Sequence, residues 1–398
     1  MVSTIYIAKN VYGGDGLGRL GDGRVAFVPG AFKGEQVKAE IVEEKRGYVK
    51  TRLVEVVEPS PERIGVLPLP QPGMVYANIS RRGELEAKGA QLAEIFDRAR
   101  IRVNIKGPMA EVSSTGLNYR NKVVYHFAKD KGKWLLGYMS EPDHMVVDVL
   151  DDPLARPEIN AALPEIRRKV MMLLTQGASS VRKEVERKGN LTIRWSKSSG
   201  VKWWVGAAQP DVVMKEISCG KAFEVPADGF WQVNPVMGEA LVREVVLEYG
   251  KLGDAVDNIL DLYCGVGVFG LCCNPKKLVG VESGRRAVEF ACKNAAAQGF
   301  ANARFFAQEV ARNLRKLRID GKTAVILDPP RGGLEKGVPQ FLAKSPAPCI
   351  MYVSCDPATL VRDLRQMGGN YEVCTVKWFD LFPRTARFET LAILRRRS

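Results

Sequence analysis
From about residue 226 to the C-terminus, short apolar runs alternate with segments of helical periodicity, and no other feature constrains the fold as tightly. Strand patterns fall at 258–263, 278–282, 303–307, 323–328, 349–354, 373–379 and 389–394, with helices between them. Strands buried on both faces read as near-continuous apolar runs, and helices must carry the chain from one to the next. The segment predicts a parallel, doubly wound, Rossmann-like α/β sheet. Such sheets bind ligands at the carboxyl ends of their strands.

The ends of those strands carry the informative residues. The first ends in Asp261-Leu-Tyr-Cys-Gly-Val-Gly-Val-Phe-Gly270, where Gly265, Gly267 and Gly270 match G-x-G-x-x-G. Glycines there let the backbone approach a ligand closely. The second ends in Glu282, a carboxylate able to accept both hydroxyls of a ribose. These features fit NAD and S-adenosylmethionine equally. The fourth ends in Asp328-Pro329-Pro330-Arg331-Gly332-Gly333. Enzymes that methylate exocyclic amines usually carry an aromatic after the two prolines, so Arg331 points to a different target. Nothing in the chain matches the hydride chemistry of a dehydrogenase.

The fifth strand ends in Ser354-Cys355-Asp356-Pro357, which puts a thiol on the loop where the sheet opens. The last strand is preceded by Phe382-Pro383-Arg384-Thr385-Ala386-Arg387-Phe388-Glu389. A nucleophilic thiol and a partly buried carboxylate suit methylation at carbon 5 of a uracil. Thiolate addition at C6 makes C5 nucleophilic, and a base then removes the C5 proton. On residue type alone, a structural Cys and a surface Glu are the commoner readings. The surrounding motifs favour Cys355 as nucleophile and Glu389 as base.

The rest of the chain reads as a polyanion-binding apparatus. At 398 residues, two or three domains are expected. Residues 1–58 resolve into short alternating strands, Val25–Val28, Gln36–Val42 and Lys50–Val57 among them, broken by glycines between Gly13 and Gly23. They predict a small barrel of oligonucleotide-binding type. Its Lys33, Lys38, Lys45, Arg46, Lys50 and Arg52 suit either phosphate contact or a solvated face. A proline-rich linker runs from Pro59 to Pro72, and 84–100 reads as an amphipathic helix. Between about 117 and 225, strands are expected at Tyr119–Phe127, Trp134–Met139 and Leu191–Ser196, and a helix at 157–176. Tyr119, Arg120, Lys122, Arg194, Trp195, Lys197, Lys202, Trp203 and Trp204 interleave bases and aromatics, a pattern that fits unpaired nucleotides or a strand core. The expected division is 1–58, 59–225 and 226–398.

A net charge of +14 favours a nucleic-acid partner. Only His126 and His144 are present, and the eight cysteines include no C-x-x-C pair, so no metal site is expected. No apolar run of about 18 residues and no signal-peptide pattern exists, so a cytoplasmic protein without membrane contact is expected.

The segments DLYCGVGVFGL, DPPRGGL, YVSCDPATLVRDL, FPRTARFE and Phe230-Trp231-Gln232-Val233-Asn234 together resemble the bacterial RNA uracil-5-methyltransferases. The glycine-rich start resembles the TRAM domain of many rRNA-modifying members. The resemblance spans nearly the whole chain. It implies a Rossmann-like class I methyltransferase with a TRAM barrel and a central α/β RNA-binding region. Cys355 matches the family nucleophile and Glu389 its base. Gln232, Tyr263, Gly265, Glu282 and Asp328 take positions that hold S-adenosylmethionine, and Gln232 and Asp328 also help orient the uracil. Val268 replaces a polar cofactor contact found in many members. The iron–sulfur cysteines of many rRNA members are absent, because Pro68–Ala77 carries none, so no cluster is expected. Arg387 stands where the family often has His. The expected enzyme is a monomer acting on rRNA, with tRNA uridine methylation, RNA cytosine-5 methylation, a dehydrogenase and a non-enzymatic RNA-binding protein as alternatives. An RNA cytosine-5 enzyme would carry an additional Cys where Arg331 stands.

Overall fold
The glycine-rich start closes into a barrel. Strands β1 (Val2–Asn10), β2 (Gly16–Arg19), β3 (Val25–Val28), β4 (Gln36–Glu44) and β5 (Tyr48–Glu58) pair in the order β1-β2-β3-β5-β4 and back to β1. Alternation turns Ile5, Ile7, Ala26, Val28, Val37, Ala39 and Val49 inward as the barrel core. Gly18 is required there, because a Cβ would lie 2.4 Å from the Tyr6 carbonyl oxygen. Of the six cations that suited either phosphate contact or a solvated face, four are paired with neighbouring carboxylates. Lys38 pairs with Glu55, Arg52 with Glu40, and Lys45 and Lys50 share Glu43. The computed structural model describes residues 1–65, 71–109, 113–140, 145–175, 185, 189–207 and 211–397. Pro68–Pro70 and His144 lie outside them.

Helix α1 (Arg81–Arg98) starts three residues before the predicted 84–100, because the Ser80 side chain caps it by accepting from Gly83 N. Its Leu92 and Phe96 sink into the C-terminal core, and strand β6 (Asn104–Lys106) pairs alongside the C-terminal sheet. Lys88 is fully buried and donates to Glu84 at 2.8 Å and Asp380 at 2.7 Å, with Arg81 bound to the same two carboxylates. Buried charges persist only when paired in this way, so the cluster pins the loop at 380–384 to α1.

The central sheet has the order β11-β10-β7-β8-β9 and is antiparallel throughout. It comprises β7 (Lys122–Asp130), β8 (Lys133–Met139), β9 (Val146–Asp148), β10 (Asn190–Ser196) and β11 (Gly200–Val205). Helix α2 (Pro157–Thr175) covers it with Ile159, Leu163, Ile166, Val170 and Leu174. The strand predicted from Tyr119 begins at Lys122, because residues 119–121 bond elsewhere. The Tyr119 hydroxyl donates to Pro383 O, Arg120 N to Leu154 O, and Asn121 N to Val233 O. Strand β11 and the hairpin β12 (Val213–Ser218) and β13 (Lys221–Pro226) were not legible in the pattern.

The C-terminal unit runs α3 (Pro235–Gly250), β14 (Asn258–Leu262), α4 (Val268–Cys273), β15 (Lys277–Glu282), α5 (Arg285–Ala297), β16 (Ala303–Ala307), α6 (Val310–Asn313), β17 (Thr323–Leu327), α7 (Val338–Lys344), β18 (Cys349–Ser354), α8 (Pro357–Met367), β19 (Tyr371–Phe379) and β20 (Glu389–Arg396). The eight-stranded sheet has the order β16-β15-β14-β17-β18-β20-β19-β6. The expectation of a wholly parallel sheet fails at β20, which is antiparallel to both neighbours. Only residues 380–388 join β19 to β20, and a parallel return needs about a dozen or more.

Candidate active site
Sheet register assembles the site. Leu262 of β14 pairs with Val281 of β15 and Leu327 of β17, so the next residues, Tyr263, Glu282 and Asp328, form one row at the open edge. Ser354 of β18 pairs with Thr390 of β20. One step beyond that pair, Cys355 falls opposite Glu389, and residues so opposed lie about 5 Å apart. Two segments separated by more than thirty residues are thereby brought face to face at the carboxyl end of the sheet.

The first turn is built for a close-lying ligand. Tyr263, Gly265 and Gly267 all have positive φ, at 65°, 54° and 87°. Gly270 admits no side chain, since its Cβ would lie 2.5 Å from Leu278 and 3.0 Å from the Asp261 carboxylate. Asp261 is fully buried and accepts from Gly270 N at 3.0 Å, while its other oxygen has no partner. Burial pushes its pKa up to about 7, with help from Asp328 and Glu282. Glu282 accepts from Gly265 N and Gly284 N, and so ties the second strand to the glycine turn.

A cavity of about 100 Å³ opens beside this turn, with Gln232, Tyr263, Gly265 and Asp328 in its wall together with Phe230 and Glu216. Four of the five expected cofactor residues thus share one cavity, and Glu282 reaches it through the Gly265 amide. Gln232 is held from both sides: its carbonyl accepts from Asn121 Nδ2, and Asn234 caps α3 while donating to Leu381 O.

Arg194, one of the residues that fitted either unpaired nucleotides or a strand core, is 1% exposed and belongs to the interior. Its Nη1 donates to the carbonyls of Pro226, Ala227 and Gly229 at 3.2, 3.0 and 3.0 Å, and Nη2 pairs with Glu216 at 3.1 Å. It braces the loop leading into Phe230-Trp231-Gln232 and faces no solvent. Tyr119 is likewise buried, and Arg156 stacks on Trp195 at 4.0 Å, whereas Trp203 remains exposed. A lone Arg between Ile193 and Trp195 in an apolar strand was the available signal for a buried role.

The end of the sheet that carries Cys355 and Glu389 is electrostatically tense. Burial, then Glu389 and Asp328, push the Cys355 thiol up to about 11, opposed by Arg331. Glu389 is 4% exposed, and burial followed by Asp328 drives its pKa well above the usual carboxylate range. Its Oε2 is buried with no hydrogen-bond partner. Burial and Glu282 raise Asp328 to about 7. A buried carboxyl with an unpaired oxygen beside a thiol is a site short of a polar ligand.

The family model for tRNA (uracil-5-)-methyltransferase matches residues 215–397, and that for the TRAM domain matches residues 4–54. An RNA methyltransferase of Streptomyces coelicolor is 32% identical across 98% of this chain and 92% of its own length. The chain belongs to the RNA uracil-5-methyltransferase family. A second relative, an RNA methyltransferase of Thermotoga maritima, is 28% identical across 99% of each chain. The crystal structure of Pyrococcus abyssi tRNA (uracil-54, C5)-methyltransferase in complex with S-adenosyl-L-homocysteine shares the fold, with a TM-score of 0.72 at 21% identity over 98% of this chain and 100% of that one.

As a member of that family, this RNA uracil-5-methyltransferase takes its methyl group from S-adenosylmethionine. The residues present fit that cofactor: a glycine turn that admits close approach, a carboxylate at the second strand, and a cavity walled by Gln232 and Asp328. Among the described residues no group of three or more His, Cys, Asp or Glu is placed to hold a metal ion. No described helix is long and apolar enough to cross a membrane.

Proposed function
We propose that the enzyme methylates C5 of a specific uridine through a covalent adduct between Cys355 and C6. The observation that carries this reading is the β18–β20 register, which sets Cys355 and Glu389 one step beyond the Ser354–Thr390 pair, with Asp328 of the cavity wall near enough to act on both. The uridine is flipped from its stack to reach the sheet edge. The half-exposed Cys355 thiol releases its proton to solvent water as its sulfur bonds to C6, and the electron pair displaced from the C5–C6 double bond makes C5 nucleophilic. S-adenosylmethionine, when bound, supplies the sulfonium methyl that C5 accepts. Glu389 then removes the C5 proton, the C5–C6 double bond re-forms, and the thiolate leaves. Burial makes Glu389 a stronger base once ionised than an exposed carboxylate. Gln232 and Asp328 hold cofactor and uracil in line.

Ribosomal RNA is the proposed substrate, with the TRAM barrel in support. A tRNA substrate is the second reading, favoured by the Pyrococcus fold relative. The proposed enzyme is a cytoplasmic monomer in which the barrel and central sheet grip RNA. The test is transfer of labelled methyl from S-adenosylmethionine to unmodified rRNA and tRNA, followed by nucleoside analysis. 5-Methyluridine in one pool is expected, 5-methylcytidine would overturn the base assignment, and the labelled pool names the RNA. Cys355→Ala should abolish transfer while keeping cofactor binding. Glu389→Gln should accumulate a denaturation-resistant protein–RNA adduct; unaltered turnover would refute its role as base.

A further inference from the structure
One residue of the N-terminal barrel reaches the catalytic end of the sheet. Tyr12 lies in the turn between β1 and β2, where Val11 N donates to Asp15 O and Gly14 N to Val11 O, both at 2.9 Å. Asn10 braces the same turn, donating to the carbonyls of Gly14 and Ala31 and accepting from Lys33 N. The turn is therefore a stiff mount, and it carries the Tyr12 ring out of the barrel into the core of the methyltransferase unit. There the ring meets Phe388 edge-on at 5.9 Å, and Phe388 meets Trp378 at 5.7 Å.

The polar end of Tyr12 closes a three-member contact. Arg387 Nη1 donates to the Tyr12 hydroxyl at 2.9 Å and to Asp356 Oδ2 at 3.2 Å, and the hydroxyl itself lies 3.5 Å from the same oxygen. The Arg387 guanidinium also sits over the Tyr12 ring at 5.6 Å. Asp356 follows the nucleophile directly, and its Oδ1 caps α8 by accepting from Ala358 N and Thr359 N. One carboxylate is thus anchored to its own helix on one side and to the barrel on the other. Phe388 and Arg387 immediately precede Glu389, so Tyr12 touches both segments that deliver the reacting groups.

We propose that Tyr12 and Arg387 form a strut by which the N-terminal barrel positions the Cys355 loop, so that the barrel sets catalytic geometry as well as gripping RNA. This rests on Cys355 acting as the nucleophile. Both are positioning residues, since each acts through Asp356. Arg387 also has an electrostatic duty. The groups facing Cys355 are Glu389, Asp328 and Asp356, which disfavour its thiolate, the Tyr12 hydroxyl of the barrel, and the cation Arg331. Arg387 balances Asp356, the anion next in the chain.

The test uses Tyr12→Phe, Tyr12→Ala, Arg387→Lys and Arg387→Ala in the full chain, with two readouts. The first is single-turnover methyl transfer to saturating, in vitro transcribed rRNA and tRNA, alongside RNA Kd from filter binding. A small misplacement of a reacting group costs up to about a hundredfold in rate. We expect a rate loss of about tenfold for Tyr12→Ala and Arg387→Ala, with RNA Kd changed by less than about twofold. Tyr12→Phe, which keeps the ring contact, and Arg387→Lys, which keeps the charge, should recover part of the rate and guard against simple misfolding. The second readout needs no RNA: peptide-resolved iodoacetamide alkylation against pH, with the exposed Cys292 and Cys374 as internal standards. The Cys355 profile should move to higher pH in Arg387→Ala while the standards stay in place. A full saturating rate with RNA binding weakened about tenfold would make the barrel only a tether and overturn the strut. So would an unmoved Cys355 profile in Arg387→Ala. If the unaltered enzyme methylates neither RNA, the proposed reaction fails, and the alkylation profile decides the strut by itself.

Discussion

Asp261 offers a measurement in which the structure sets both sign and size. It is fully buried at the base of the glycine turn, with one oxygen accepting from Gly270 N and the other unpaired. Its pKa rises from 3.8 to about 7 on folding, burial being the main cause. A raised carboxyl binds its proton more tightly in the folded state, so its contribution is fully present below pH ~4 and is lost as pH climbs toward 7. Between pH 5.5 and pH 7 the folded state keeps the proton that the unfolded chain has released. Those 1.5 units, at about 1.4 kcal/mol each, cost about 2 kcal/mol, and the loss levels off above the folded pKa. Asp261→Asn keeps an acceptor for Gly270 N and removes the titration. Its fixed cost, whatever its size, cancels when the difference from the unaltered protein is compared at pH 5.5 and pH 8. The variant should therefore gain about 2 kcal/mol on the unaltered protein over that interval. Urea unfolding at the two pH values, followed by tryptophan fluorescence, reads it directly. A difference that stays constant with pH would refute the argument, because Asp261 would then titrate in the ordinary carboxylate range.

Arg194→Met should destabilise the protein by about 3–5 kcal/mol, because it strands Glu216 and three carbonyls in the interior. Arg194→Met with Glu216→Leu should recover part of that loss in the same unfolding assay; no recovery would mean the ion pair is not the cause. Gly270→Ala places a methyl 2.5 Å from Leu278 and should cost about 1–3 kcal/mol with a lowered Tm. Arg52→Ala should leave RNA affinity and its salt slope nearly unchanged, because Glu40 already neutralises that cation. A drop of about one in the salt slope would show that Arg52 contacts phosphate after all.

The legible parts were those with a local cause. Alternating apolar residues announced the barrel, and near-continuous apolar runs announced β14, β15, β17 and β18, because side-chain period and burial are written into adjacent residues. The candidate residues Tyr263, Glu282, Asp328 and Cys355 were visible because an α/β sheet presents its carboxyl ends to the ligand wherever those strands are placed; Glu389, at the start of β20, was visible only through the segment that precedes it. The start of α1 was missed at Ser80, since its capping bond competes with an extended linker reading that suited the prolines before it. The direction of β20 was missed as well. A run of apolar residues carries no sign of polarity, and only the shortness of the 380–388 connection decides it.

What needed the tertiary structure were the partners of charged residues. Arg194 and Lys202 look alike in sequence, yet one is sealed against three carbonyls and the other lies on an outer strand. Lys38, Lys45, Lys50 and Arg52 read equally as phosphate contacts or as a solvated face until strand pairing sets Glu55, Glu43 and Glu40 beside them. Tyr12 carried no signal at all, because its partners Asp356 and Arg387 stand over three hundred residues away in the chain. By itself the sequence determined the α/β class, most of the strands and the glycine turn, and it marked the candidate residues at their ends, all of which depend on residue type and spacing. The fold decided which charges are spent inside the protein, since a charge's role depends on what lies within a few ångströms of it, and chain order does not encode that distance.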